Sequence, residues 1–210
     1  MFYSCSNAET KLYYGLVRLA LRIRYLTFLE NGLLKTLGVF CGSRLGMREN
    51  YSLCAKALGE HMAAGGIRLV YGGGRTGLMG ILADSVLENN GTVTGIIPEF
   101  LCRSEVVHPD LTELKVVENM HLRKKLMYDL SDAFTILPGG LGTLDEAIEV
   151  INWANLGLHR KSIILLDVDG YWSLFCNLLS NFDAEGFSGV ERRKLYTVLD
   201  DPERVLEELR

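Results

Sequence analysis

The chain has 210 residues, of which 48% are hydrophobic and 23% are charged, as expected for one globular domain with a full-sized core. The formal net charge is −4, and a basic excess is confined to the first 35 residues, so the remainder is more acidic still, which argues against nucleic-acid binding. Five cysteines without a C-x-x-C pair or a Cys/His cluster predict neither a disulfide framework nor a metal site, and they favour a cytoplasmic location.

The chain begins with an extension, residues 1–34, that is basic, apolar and poor in acid. Its longest apolar stretch, Leu12–Leu29, is interrupted by three arginines, so no transmembrane span is expected. Three interpretations of the extension stay open: an organellar transit peptide, an amphipathic helix on a partner surface, or a start codon assigned too far upstream. We expect residues 35–210 to form a single domain.

Beyond the extension, apolar runs of strand length alternate with segments of helical period. The predicted strands are Thr36–Phe40, Ile67–Tyr71, Thr92–Ile97, Leu114–Val117, Ala133–Leu137 and Ser162–Val168. The predicted helices are Asn50–Ala64, Thr76–Glu88, His121–Ser131, Leu144–Leu156, Tyr171–Ala184 and a short terminal helix, Pro202–Leu209. This alternation predicts an α/β fold: a Rossmann-like, doubly wound, mainly parallel sheet flanked by helices.

Glycine-rich turns follow the first, second and fifth predicted strands. Ligands of such sheets bind at the carboxyl edge of the strands, so Gly42, Ser43, Gly73 and Gly74 are candidate nucleotide contacts. The second turn, within Tyr71–Gly80, resembles a dinucleotide-binding fingerprint only loosely, because no acidic residue clearly ends the next strand. By itself this turn is weak evidence for a ligand.

The helix predicted at His121–Ser131 carries an arginine on its apolar face. The sequence M-H-L-R-K-K-L-M places Arg123 on the helical face shared with Met127, so Arg123 should face inward. An inward guanidinium needs an anionic partner, which is either a structural carboxylate or a substrate phosphate and sugar. Lys124 either reaches the same site or is solvated, and Met120 is a further candidate nucleotide contact.

The fifth predicted strand is followed by P-G-G-L-G-T-L-D-E at positions 138–146. These glycines let backbone N–H groups converge at the positive end of a helix, which forms a seat for a phosphate; a purely structural tight turn is the alternative. Thr143 is expected to cap the helix and to offer its hydroxyl to the same anion. Glu146 lies on the apolar face, so either it is buried for a chemical purpose or it is a favourable acid near a helix N-terminus, as Asp145 is expected to be.

Together these segments resemble the Lonely Guy (LOG) family, the cytokinin riboside 5′-monophosphate phosphoribohydrolases often mislabelled as lysine decarboxylases. The family hallmark, P-G-G-x-G-T-x-x-E, is matched at every fixed position by residues 138–146, and the resemblance extends from Lys35 to Gly186. It implies a homodimeric hydrolase without a cofactor. Such an enzyme releases the free base and ribose 5-phosphate from purine nucleoside 5′-monophosphates, with N6-substituted adenine or with AMP itself.

The resemblance also implies roles for individual residues. Arg123 and Glu146 are implied to be catalytic, while Glu105, which precedes the M-H-x-R-K helix, and Lys124 are implied to bind the substrate together with Arg123. The implied phosphate-binding segment comprises Gly139, Gly140, Leu141, Gly142, Thr143, Leu144 and Asp145. The chain departs from many members at Asp145, where they carry Glu, and at Asn152, where they carry Thr, a change that bears on base preference.

Cleavage of a ribosyl N-glycosidic bond passes through an oxocarbenium-like state, which a carboxylate stabilises while it activates water. Glu146 is the candidate for both tasks, and Arg123 is expected to orient the phosphate or the ribose. Two alternatives are weighed: a non-catalytic nucleotide-binding sensor, against which the retained Arg123 and Glu146 speak, and an amino-acid decarboxylase. The latter needs a pyridoxal-bearing lysine, and none is visible around the glycine turns.

Overall fold

The computed structural model describes residues 34–102, 107–187 and 195–209 of the chain. Residues 1–33 of the predicted extension and the candidate substrate-binding Glu105 lie outside the described residues. Within the described ranges, no helix is long and apolar enough to cross a membrane.

A sheet of seven parallel strands forms the centre of the described part, in the order β4-β3-β2-β1-β5-β6-β7. The strands are β1 (Thr36–Phe40), β2 (Arg68–Tyr71), β3 (Val93–Pro98), β4 (Glu113–Val117), β5 (Ala133–Ile136), β6 (Ile163–Leu166) and β7 (Thr197–Leu199). All six predicted strands are present, and β7 is an addition that the sequence did not predict. Because the strand order reverses between β1 and β5, the ligand crevice is expected at their carboxyl ends.

Helices cover both faces of this sheet. They are α1 (Glu49–Ala64), α2 (Gly77–Glu88), α3 (Glu99–Cys102), α4 (Met120–Leu130), α5 (Leu141–Asn155), α6 (Ser173–Ala184) and α7 (Val205–Glu208), with 3₁₀ turns at Val168–Gly170 and Pro202–Arg204. The predicted terminal helix is therefore a 3₁₀ turn followed by one α-helical turn. The helix predicted to begin at Leu144 begins one turn earlier, at Leu141, because Gly140 serves as its N-cap.

The core consists of two apolar layers, one on each face of the sheet. Buried side chains of α1, α2 and α7, such as Leu58, Leu82 and Val205, pack together on one face. On the other face α4, α5 and α6 contribute Met127, Val150 and Phe175 among others. A parallel sheet with helices on both faces confirms the Rossmann-like, doubly wound architecture.

Candidate active site

Gly42 joins three segments at the point where the strand order reverses. Its N–H donates to the carbonyl of Pro138 (3.0 Å), which ties the end of β1 to the end of β5. Its carbonyl accepts hydrogen bonds from the N–H groups of Leu78 (3.0 Å) and Met79 (3.3 Å) at the start of α2. Gly42 thus acts through its backbone as a junction beneath the crevice.

A cavity of about 200 Å³ lies at this edge, between β1 and the starts of α4 and α5. It brings together eight residues that the sequence singled out: Ser43, Met120, Arg123, Gly140, Leu141, Gly142, Thr143 and Glu146. The remaining lining residues, to which the sequence reasoning gave no site role, are Val39, Phe40, Cys41, Gly72, Met79 and Met127.

Arg123 enters the cavity from α4 and is only 8% exposed, which confirms that it faces inward. Its Nη2 donates to the carbonyl of Gly72 (3.3 Å) and its Nη1 to the sulfur of Met120 (3.8 Å). The Nε–H group is buried without a hydrogen-bond partner, and the guanidinium forms no ion pair with a carboxylate of the described residues. A buried donor left unpaired is unfavourable, so this geometry favours a ligand anion over a structural carboxylate.

Gly72 makes this position of Arg123 possible. A Cβ atom built at Gly72 would lie 1.9 Å from Nη2 of Arg123, closer than two such atoms can approach. Any other residue here would displace the guanidinium. The sequence showed three successive glycines after β2 but not which of them mattered, because the contact joins positions 51 residues apart.

Glu146 projects into the same cavity from the second turn of α5 and is 9% exposed. Burial raises the pKa of its carboxyl group to about 7, a shift that Arg123 and Lys124 oppose and that Asp145 and Glu149 reinforce. The carboxyl group is therefore poised to gain or lose a proton near neutrality, as a general acid or base requires.

The start of α5 presents its backbone to the cavity. Gly140 is the N-cap, and Leu144 donates the first intrahelical bond, to Gly140 (3.0 Å), so the N–H groups of the first turn have no intrahelical acceptor. Apart from the adjoining backbone, no atom of the described residues lies within 4 Å of a Cβ built at Gly140 or at Gly142, so these two positions are open on their side-chain side. The amides and the helix dipole together form an anion seat.

Thr143 is not the helix cap that the sequence predicted, because α5 begins two residues before it and Gly140 is the N-cap. Its side chain is buried and lies over Gly139, where a Cβ atom would come within 2.1 Å of the Thr143 Oγ1. Thr143 lines the cavity, so its predicted contact with the anion stays a prediction. Gly139, which has no side chain, leaves room for Thr143.

Lys124 has a different environment from either alternative considered in the sequence. Its side chain is 13% exposed, and its Nζ pairs with Asp145 (3.1 Å) and Glu149 (3.1 Å) of α5. It therefore links α4 to α5 beside the cavity rather than lining it. Its predicted contact with substrate, like those of Leu144 and Asp145, stays a prediction.

Gly73 and Gly74, the other candidate nucleotide contacts, are engaged elsewhere. The carbonyl of Gly73 accepts from the N–H of His108 (3.0 Å), and Gly74 forms an isolated antiparallel bridge with Val107. His108 is buried and its Nε2 lies 2.9 Å from the carboxylate of Asp84. Neither glycine is among the described residues that line the cavity, so their predicted contacts with the nucleotide stay predictions.

The donor groups around the cavity bear on metals and on pyridoxal chemistry. No group of three or more His, Cys, Asp or Glu side chains capable of holding a metal occurs among the described residues. No lysine is among the residues that line the cavity. The arrangement that remains is one buried cation, one buried carboxyl group and a set of backbone donors.

Comparison with known proteins identifies relatives of the chain. A family model described as "Possible lysine decarboxylase" matches residues 79–209. A cytokinin riboside 5′-monophosphate phosphoribohydrolase of Rhodococcoides fascians is 43% identical over 177 residues, covering 84% of this chain and 89% of the relative. A probable enzyme of the same name from Oryza sativa subsp. japonica is 44% identical over 181 residues, covering 85% and 77%.

Among solved structures, a molybdenum cofactor carrier protein of Chlamydomonas reinhardtii matches with a TM-score of 0.65 and 20% identity, covering 84% of this chain and 96% of the other. A molybdenum cofactor binding protein of Rippkaea orientalis matches with a TM-score of 0.61 and 21% identity, covering 84% and 95%. At such identities the likeness concerns the fold alone. The sequence relatives and the family model together establish that the chain belongs to the Lonely Guy family of phosphoribohydrolases, whose family model carries the lysine decarboxylase description.

Proposed function

We propose that the protein hydrolyses the N-glycosidic bond of N6-substituted adenosine 5′-monophosphates, and of AMP itself, to release the free base and ribose 5-phosphate. One observation carries this proposal: Arg123 and the buried Glu146 line the same cavity, beside the start of α5. The Nε–H of Arg123 has no hydrogen-bond partner there among the described residues. Relatives that are named cytokinin riboside 5′-monophosphate phosphoribohydrolases support the same activity.

The 5′-phosphate binds the free N–H groups at the start of α5, from Gly140 to Thr143, where the helix dipole also favours an anion. Arg123 supplies a compensating positive charge and orients the phosphate or the ribose through its free Nε–H. Contacts to the phosphate, which does not react, fix the anomeric carbon near Glu146 and so accelerate the reaction.

In the reaction the bond from C1′ to the base nitrogen breaks, and its electron pair leaves with the base. The ribose ring oxygen shares the positive charge that develops at C1′, and the carboxylate of Glu146 stabilises it. Water adds its oxygen to C1′ and gives one proton to Glu146. The departing base takes up a proton from solvent and Glu146 returns its proton to solvent, so one water is consumed and the carboxylate is restored. The ionised form of Glu146 is the active one, so kcat/KM rises with pH through the pKa of about 7.

The size of the cavity bears on how the base is held. About 200 Å³ is less than the roughly 300–1,000 Å³ of pockets that enclose a drug-sized ligand, so this cavity suits the ribose phosphate better than a whole nucleotide. The base then extends past Leu141, which is 85% exposed at the rim. This leaves room for AMP and for larger N6-substituted bases alike.

We also propose that the protein is a homodimer. Large apolar side chains are exposed along α5 and α6, and such side chains favour contact with another protein: Leu141, Ile148, Leu174 and Leu178. Light scattering should give twice the mass of the chain, and a mass of one chain contradicts the proposal. A cytoplasmic location is proposed as well, supported by Cys41, Cys54, Cys102 and Cys176, all free thiols.

The activity is tested by measuring release of ribose 5-phosphate and of free base from AMP and from N6-isopentenyl-AMP. Glu146→Gln should lower kcat/KM about a thousandfold and Arg123→Ala about a hundredfold. Two exposed positions provide matched controls: Glu60→Gln, and Lys125→Ala on the same helix as Arg123, should leave the rate unchanged.

A parallel comparison of AMP with adenosine tests the role of the phosphate. Adenosine should be turned over at least about a hundredfold less efficiently, because it lacks the anion that positions the sugar. Equal efficiencies for the two compounds contradict the phosphate seat. Binding of AMP without any product release contradicts the hydrolase and favours a nucleotide sensor.

A further inference from the structure

The turn that holds the phosphate seat receives a hydrogen bond from a distant part of the chain. The hydroxyl of Tyr171, in the segment between β6 and α6, donates to the carbonyl of Gly139. We infer that Tyr171 is a positioning residue for substrate phosphate: its hydroxyl fixes the Gly139–Gly140 peptide so that the Gly140 N–H faces the anion. The inference rests on the proposed function.

Peptide geometry connects the two sides of this turn. The group between Gly139 and Gly140 is planar and trans, so its C=O and its N–H point in opposite directions. When the carbonyl is held by Tyr171, the N–H of Gly140, a residue of the cavity wall, is directed away from Tyr171. The hydroxyl thus sets the orientation of a donor that it does not touch.

Glycine gives this peptide a particular need for an external partner. Two successive glycines have the widest choice of backbone conformations. At Gly140, a built Cβ would have no neighbouring atom within 4 Å among the described residues, so packing does not restrict this residue either. The preceding carbonyl, that of Pro138, is held by the N–H of Gly42. With Tyr171 on the next carbonyl, two consecutive peptide groups of the turn are held from other elements, which lowers the entropy lost when an anion binds.

The ring of Tyr171 is itself held firmly. It packs edge-on against Tyr51 of α1, at 5.6 Å between centroids, and against the neighbouring Trp172, at 5.0 Å. The backbone that carries it is a tight turn in which Asp169 and Gly170 both have positive φ and the Tyr171 N–H donates to Val168 (3.1 Å). The hydroxyl therefore reaches Gly139 from a rigid support.

The test replaces the hydroxyl and keeps the ring. Tyr171→Phe is compared with Tyr51→Phe, which removes a hydroxyl from the ring packed against Tyr171 without touching the Gly139 carbonyl. Binding of AMP and of adenosine is measured by calorimetry in the Glu146→Gln background, where no turnover intervenes. Because Tyr171 is 38% exposed, loss of its hydroxyl leaves no buried void, and the thermal midpoint of Tyr171→Phe should stay close to that of the parent protein.

Tyr171→Phe should weaken AMP binding about tenfold, the factor that corresponds to one well-aligned hydrogen bond to a charged group, and leave adenosine binding unchanged. In the enzyme with Glu146 intact, the ratio of kcat/KM for AMP to that for adenosine should fall by the same factor, and Tyr51→Phe should alter neither quantity. The inference is overturned if Tyr171→Phe weakens both ligands equally or matches the Tyr51→Phe control. If the parent protein binds AMP no better than adenosine, the proposed phosphate seat fails, and the inference fails with it.

Discussion

The two glycine-rich turns that follow β2 and β5 have the same design in sequence and opposite uses in the structure. Each joins a buried strand to a helix at the carboxyl edge of the sheet. At the first turn, the N–H groups of Leu78 and Met79 donate to the carbonyl of Gly42, so the start of α2 is satisfied within the protein. At the second turn, the first N–H groups of α5 have no such partner among the described residues, and the residues that carry them line the cavity.

The glycines themselves differ in the same way. Gly77 has a φ of +64°, and a Cβ there would lie 2.2 Å from the backbone carbon of Ser43. Gly140 and Gly142 have open space where a Cβ would stand. Glycine at the first turn therefore allows backbone segments to pack, whereas glycine at the second leaves room for a ligand. The spacing of glycines does not distinguish these uses; the partners of the backbone N–H groups do.

The largest effect is expected where glycine packs against backbone. Gly77→Ala forces an alanine into the left-handed region and into contact with the Ser43–Arg44 backbone, which together should destabilise the protein by about 4 kcal/mol. The free energy of unfolding in urea measures this. A loss below about 1 kcal/mol contradicts the structural assignment of the first turn.

Helical periodicity was sufficient to predict two important side chains of the site. Arg123 and Glu146 lie on apolar faces of their helices, and both are buried, because amphipathic helices on a sheet have only one inward direction. Their catalytic roles stay predictions. The turn after β2 resembled a dinucleotide motif only loosely, and the sequence did not separate Gly72 from its neighbours.

The features of the site that could not be predicted from the sequence depend on contacts between residues far apart in the chain. Lys124 is held by two acids of the next helix, Gly72 makes room for a guanidinium 51 positions away, and Tyr171 reaches the turn after β5. No local pattern encodes such pairs. Strand β7 escaped for a different reason, since three residues are too short to establish an alternating or continuous apolar pattern.

Glu146, in the helix that follows the second turn, should make the free energy of unfolding depend on pH. Burial raises the Glu146 pKa to about 7, so the folded protein holds this proton more tightly than the unfolded chain, whose value is near 4.5. Ionisation therefore destabilises the fold, increasingly as pH rises from about 4.5 to 7 and fully above that range. Glu146→Gln, which keeps the shape and removes the charge, should add about 3 kcal/mol to the free energy of unfolding at pH 8.

This gain should shrink to less than about 1 kcal/mol at pH 5, where the folded wild type already carries the proton. Asp145→Asn is a matched control on the neighbouring, exposed carboxylate and should give no comparable gain. Urea unfolding of all three proteins at pH 5 and pH 8 provides the four differences. A pH-independent effect of Glu146→Gln contradicts the buried, proton-linked carboxyl group.

The smallest expected change in stability occurs at the open glycine of the second turn, and it completes the comparison with Gly77→Ala. Gly142 lies within α5 and its added methyl group would meet no neighbour, so Gly142→Ala should stabilise the protein by about 0.5–1 kcal/mol through helix propensity. The same methyl group lines the cavity beside the phosphate seat and should lower kcat/KM for AMP about tenfold, roughly 1.4 kcal/mol. Gly142→Ala should thus raise stability and lower activity. Gly77→Ala should lower both, because activity is lost when the protein unfolds. Unchanged activity in a stabilised Gly142→Ala protein would mean that the phosphate binds elsewhere and that the second turn, like the first, serves only the fold.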